Sequence, residues 1–177
     1  MAYRIILDAG HGGRDNGASY GERIEKEDNL AMTLEVGQLL EDMGFDVVYT
    51  RKEDIYQAPF RKATIANELG GDLFVSIHRN SSENVNQYQG VETLVYSEGG
   101  FPEEVAWNIN NELEKVGYIN LGIEERPRLI VLNSTQMPAV LVEVGFINSE
   151  TDNQLFIEKF EETANAIAKG IAISFPA

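Results

Sequence analysis

Tyr3-Arg4-Ile5-Ile6-Leu7-Asp8-Ala9-Gly10-His11-Gly12-Gly13 opens as an apolar run of strand length and breaks into a glycine-rich turn that carries a histidine. Residues 3–8 read as a strand, and the loop after it extends to about residue 24. From Glu27 to Met43 the apolar positions Leu30, Leu34, Val36, Leu39, Leu40 and Met43 recur at helical spacing, and Gly44 supplies the stop. Phe45 to Thr50 then reads as a second strand. Strand, helix and strand in succession predict a parallel pair joined by a crossover helix.

The same alternation continues outward. Pro59 suits the first turn of a helix over Phe60 to Leu69, which Gly70-Gly71 closes. Asp72 to Ile77 is a third strand, apolar enough to be covered on both faces. Val91 to Tyr96 is a fourth, Phe101 to Val116 a helix, Arg128 to Leu132 a further strand, and Ala139 to Val144 the last. Asn153 to Ser174 holds one or two closing helices. The pattern predicts one α/β domain over residues 1–177, with a largely parallel sheet of about six strands between helices on both faces. In such sheets ligands sit beyond the carboxyl ends of the strands.

Composition narrows the function. The 177 residues include no cysteine, so thiolate metal sites and disulfides are excluded. A net charge of −15 disfavours nucleic acid and anionic membranes as partners, and no run approaches the ~20 apolar residues of a membrane span. A monomer is expected. The opening residues are too few and too soon interrupted to form a signal peptide.

Both histidines of the chain fall at the carboxyl ends of strands: His11 after the first and His78 after the third. Glu143 lies inside the apolar run Ala139-Val140-Leu141-Val142-Glu143-Val144, where an acid is costly to bury without a purpose. Two imidazoles without cysteine suit a divalent ion, zinc first, with a carboxylate as third ligand. Asp15, Glu22, Glu25, Glu27 and Asp28 are all within reach of the loop, and the residue types alone do not choose among them. The glycines around His11 have neither P-loop nor dinucleotide spacing. A zinc carboxypeptidase and a catalytically inactive binding module are the rival readings. The first needs a cation for a terminal carboxylate, for which Arg14, Arg79 and Arg128 are available, and the second has no use for a buried Glu143.

Four stretches then resemble the zinc-dependent N-acetylmuramoyl-L-alanine amidases of bacterial peptidoglycan. They are Ile6-Leu7-Asp8-Ala9-Gly10-His11-Gly12-Gly13, Glu25-Lys26 with Asn29-Leu30, Phe74-Val75-Ser76-Ile77-His78-Arg79-Asn80, and Met137 to Phe146. The resemblance spans residues 4 to 172. It implies a mixed central sheet, zinc held by His11, Glu25 and His78, and Glu143 as the catalytic glutamate. It further implies cleavage of the amide between muramic acid and the stem peptide, with Asn80 a candidate substrate contact. Action on the wall without a signal segment fits a phage-type lytic enzyme or an autolysin domain whose signal was removed. Arg79 departs from the small residue usual there, which puts subsite preference in question. Only Arg79 to Gln89 separate His78 from Gly90, too few for the helical lid that covers the zinc in some relatives.

Overall fold

The computed structural model describes residues 2–176. The opening run forms β1 (Arg4–Ala9), buried at every residue after Arg4. Within the following loop β2 (Ser19–Tyr20) and β3 (Arg23–Ile24) make a small antiparallel pair. The chain continues through α1 (Glu25–Asp42), β4 (Asp46–Tyr49), α2 (Pro59–Leu69), β5 (Leu73–Asn80), β6 (Val91–Val95) and α3 (Gly100–Val116). It ends with β7 (Asn120–Glu125), α4 (Ile130–Asn133), β8 (Ala139–Phe146), α5 (Glu150–Glu158) and α6 (Phe160–Ala172).

Six strands form one sheet in the order β4-β1-β5-β8-β6-β7. Every neighbouring pair is parallel except β6 with β8, so the expected largely parallel, mixed sheet is present. The two faces are unequal. Ile5, Leu7, Val75, Ile77, Val140 and Val142 point into a large core with α1, α3 and α6. Ile6, Phe74 and Leu141 point the other way, into a smaller cluster closed by Ala66 of α2 and Val131 and Leu132 of α4. Strand alternation puts Asp8, Ser76, His78 and Glu143 on that thinner side.

Two expectations need correction. The apolar run at 128–132 is not a strand: Ile130–Asn133 is a short helix that drops Val131 and Leu132 into the smaller core. A run this short does not distinguish strand from helix by periodicity. The sixth strand is instead β7, an edge strand whose Leu121 is exposed, so its pattern carries little apolar signal. The second correction concerns α1, which begins at Glu25 and buries Asn29, Met32, Thr33, Val36, Gly37 and Leu40. Met43, assigned to the apolar stripe, is exposed. The real stripe includes polar residues because its first turn faces the site. Further along, Gly37 lets Tyr49 approach: an added Cβ would lie 2.0 Å from the tyrosine hydroxyl oxygen.

Candidate metal centre

β1 and β5 end side by side, and the loop after β1 turns back over the end of β5. Gly10 makes that turn possible. A Cβ there would lie 2.3 Å from the His78 ring, so only glycine lets the two segments approach. His11 itself adopts φ of 60°, a left-handed conformation that costs a non-glycine residue on the order of 1–3 kcal/mol. The surroundings hold it there. Gly10 donates its N–H to the Ile77 carbonyl at 3.0 Å. Buried Arg51 donates to the Ala9, Gly10, Lys26 and Glu53 carbonyls at 3.0 to 3.1 Å, which clamps the turn to the start of α1.

Three donors converge. His11 Nε2 lies 3.2 Å, and His78 Nδ1 3.1 Å, from Glu25 Oε1. One ligand atom from each residue falls within 4.8 Å of the other two. Glu25 is 4% exposed, and its second oxygen accepts the Ala18 N–H at 2.8 Å, which fixes the carboxylate. Gly17 gives it room, since a Cβ there would come within 2.4 Å of Glu25 Oε2. The spacing and chemistry of two imidazoles and one carboxylate fit a divalent ion of the zinc type.

The charges agree with that geometry. Burial pushes the Glu25 carboxyl up, but hydrogen bonds and charge from His11 and His78 outweigh it and hold it well below the usual carboxylate range. Burial pushes His11 down, yet Glu25 and then Asp15 raise it to about 9. Two imidazoles packed against one buried carboxylate form a cluster in which a bound cation would replace protons.

Glu143 lies beside His78, its register partner in the β5–β8 ladder, and opposite Glu92 of β6. Burial raises its carboxyl to about 7; His78 pulls the value down, while Glu25 and Glu92 push it up. Its Oε2 is enclosed with no hydrogen-bond partner among the described residues. An ionisable oxygen left without a protein partner beside such a cluster is available for a proton that arrives with substrate or water.

The other sequence candidates separate cleanly. Asp15 stands behind the cluster and accepts from His11 Nδ1 at 2.9 Å, which turns Nε2 toward Glu25. Asp28 pairs with Arg23 and Arg79 at 2.6 and 2.7 Å, and Glu22 and Glu27 are exposed. Arg79, one of the three cations that the carboxypeptidase reading had available, does not reach the site. It points to the opposite face of β5, where it pairs with Asp28, donates to Asn153 Oδ1 at 2.8 Å and stacks on Phe156. The alternation of a strand makes this unavoidable once His78 faces the cluster. Asn80 Oδ1 accepts the Ser81 N–H at 2.8 Å and stabilises the turn after β5. That turn, residues 81–90, contains no helix.

Sequence reasoning missed Arg51 entirely and quoted Asn29 within a motif without giving it a role. Asn29 donates to the Gly10 carbonyl at 3.2 Å and to Glu25 Oε1 at 3.3 Å. Its position one helical turn after Glu25 was the available signal.

A histidine–glutamate–histidine cluster able to hold a metal ion, with a half-buried acid beside it, thus sits on the carboxyl edge of an α/β sheet. The chain belongs to the N-acetylmuramoyl-L-alanine amidase family (Amidase_3), which it matches over residues 5–173. It is 35% identical over 172 residues to the YqiI protein of Bacillus subtilis, covering 94% of this chain and 82% of that one. It is 30% identical over 178 residues to the probable cell wall amidase LytH of Staphylococcus aureus, covering 98% of this chain. The chain spans 58% of LytH's length. The crystal structure of an N-acetylmuramoyl-L-alanine amidase from Clostridium difficile 630 superposes with a TM-score of 0.91 at 31% identity, covering 97% of this chain and 96% of that one.

Proposed function

We propose that the chain is a zinc-dependent N-acetylmuramoyl-L-alanine amidase, which hydrolyses the amide between the lactyl group of N-acetylmuramic acid and L-alanine of the stem peptide. The observation that carries this reading is the convergence of His11, Glu25 and His78 beside the unpartnered oxygen of Glu143. His11, Glu25 and His78 hold Zn²⁺, which supplies Lewis acidity for the water and for the amide carbonyl. Asp15 keeps His11 oriented as a ligand. Glu143 is the general base: its carboxylate takes a proton from the water that attacks the lactyl carbonyl carbon. As the carbon–nitrogen bond breaks, Glu143 returns that proton to the departing alanine amine. Asn80, whose Oδ1 is committed to the turn, offers its Nδ2 to substrate.

The chain acts as a monomer on peptidoglycan outside the cytoplasm, and the short 81–90 turn leaves the cluster open without an activator protein. Purified walls digested with zinc-loaded protein should release new alanine amino termini and no new reducing sugar ends. Reducing ends alone would mean a glycosidase. Dialysis against a chelator should abolish the release and added zinc should restore it, whereas undiminished activity in metal-free protein would overturn the metal assignment.

A further inference from the structure

Beside the metal cluster lies a cavity of about 280 Å³ that His11 and His78 share with Gln57, Lys62, Leu129 and Arg128. Its two non-histidine cations are in different states. The Lys62 ammonium is already committed to Asp8 Oδ1 and the Ala9 carbonyl, both at 2.6 Å. Arg128 is exposed and, among the described residues, makes neither a salt bridge nor a side-chain hydrogen bond. Other arginines of the chain are engaged: Arg126 pairs with Glu124, and Arg14 lies over the Tyr56 ring at 4.4 Å. Gln57 adds a second unmet demand. Its Nε2 donates to the Thr50 carbonyl at 2.7 Å, which fixes the amide orientation and leaves Oε1 enclosed with no donor. The cavity therefore presents a free cation, and a residue of its wall encloses an acceptor that lacks a donor.

We propose that this cavity receives the second residue of the stem peptide, and that Arg128 selects a free α-carboxylate on that residue over the corresponding amide. The inference rests on the amidase reading above and names the substrate class within it. In peptidoglycan the second residue is D-glutamate linked onward through its side-chain carboxyl. Its backbone N–H and its α-carboxyl group, free or amidated, therefore sit on the same carbon. The N–H answers Gln57 Oε1 and the carboxylate answers Arg128. An extended chain advances at most ~3.6 Å per residue, so this is the first anionic group beyond the cleaved bond, about 7 Å from it. The cavity lies near the lower end of the ~300–1,000 Å³ common for small-molecule sites, which suits a dipeptide and not the whole stem. A guanidinium binds a carboxylate through two parallel hydrogen bonds. A primary amide turns N–H donors toward those of the guanidinium and forfeits both the pairing and the charge.

Calorimetry on the zinc-loaded Glu143→Gln protein tests this without turnover. With the side-chain carboxyl capped as a methylamide in both, muramyl-L-alanyl-D-glutamate with a free α-carboxylate should bind about tenfold more tightly than the α-amide, muramyl-L-alanyl-D-isoglutamine, the scale of one charge-assisted hydrogen bond. Adding Arg128→Gln should bring the two Kd values together, and Arg128→Lys should restore part of the difference. Gln57→Leu should weaken both compounds by a similar factor and leave their ratio unchanged. Equal affinities in the Glu143→Gln protein, or a preference that survives Arg128→Gln, would overturn the assignment. Hydrolysis of the same compounds by the protein with Glu143 intact is read separately. Selective binding without release of the alanyl product would sink the amidase reading alone.

Discussion

The two faces of the sheet do different work with the same strands. The α1–α3–α6 face is a continuous apolar core, filled by Val75, Ile77, Val140 and Val142 from the strands and by Ile109 and Ile167 from the helices. The α2–α4 face has a much smaller cluster, and toward its carboxyl edge the inward positions change to Asp8, Ser76, His78 and Glu143. The apolar packing is concentrated on the first face and the candidate site on the second. An apolar core holds ionisable groups at a high cost, so the site occupies the face where the covering helices are short and the edge stays accessible.

The largest effect that would test this division is on Glu143. Glu143→Gln should lower turnover about 10³-fold, the range of a lost general base, with zinc content and melting temperature retained. Metal loss in that variant, measured by atomic emission, would exchange the roles of Glu143 and Glu25.

Ile109→Ala probes the opposite face. Ile109 is fully buried in the large core, and truncation should cost about 3–4 kcal/mol in denaturant unfolding. At a temperature where the variant is folded, kcat should stay within about twofold of the parent. A large loss of kcat would show that the faces are coupled.

Lys62→Met bears on the boundary between them. Asp8 is fully buried on the site face, where it accepts from Lys62, Thr50 and Ser76 at 2.5 to 2.6 Å. Burial pushes its carboxyl up, but the Lys62 ammonium and the three hydrogen bonds hold it below its ordinary value of 3.8. A lowered value means that the unfolded chain takes up the proton first as the solution is acidified. The stabilisation is therefore complete above the ordinary carboxylate value and fades as pH falls through the folded one. Removing the partner leaves a buried charge, at a cost of about 3 kcal/mol at neutral pH, and should move acid unfolding to higher pH. Acid titrations of the two proteins that coincide would mean the pair contributes nothing.

The smallest effect concerns Asp15, which touches the cluster only through His11. Asp15→Ala should weaken zinc affinity about 10- to 100-fold in competition with a chelator, with little change in kcat at saturating zinc. An unchanged affinity would mean that backbone geometry alone orients His11.

The sequence by itself determined the alternation of strands and helices, because buried strands and amphipathic helices leave different apolar periods. It also marked His11, His78 and Glu143, since the only two histidines stand at the carboxyl ends of apolar runs of strand length and an acid interrupts another such run. The edge strand β7 was not legible, because an edge exposes much of its length, and the run at 128–132 was too short to reveal a helix. Motif resemblance selected Glu25 from five acids; periodicity and spacing did not. Only the tertiary structure shows why: α1 starts at Glu25 itself, and Arg51 and Asn29 tie that start to the Gly10 turn, which carries the carboxylate between two rings. Asp15 and Asp28 lie as near in sequence and end elsewhere, one behind His11 and the other paired with Arg23 and Arg79. Residue type sets what a side chain is able to do, but direction comes from backbone turns and strand pairing, whose partners lie dozens of residues away.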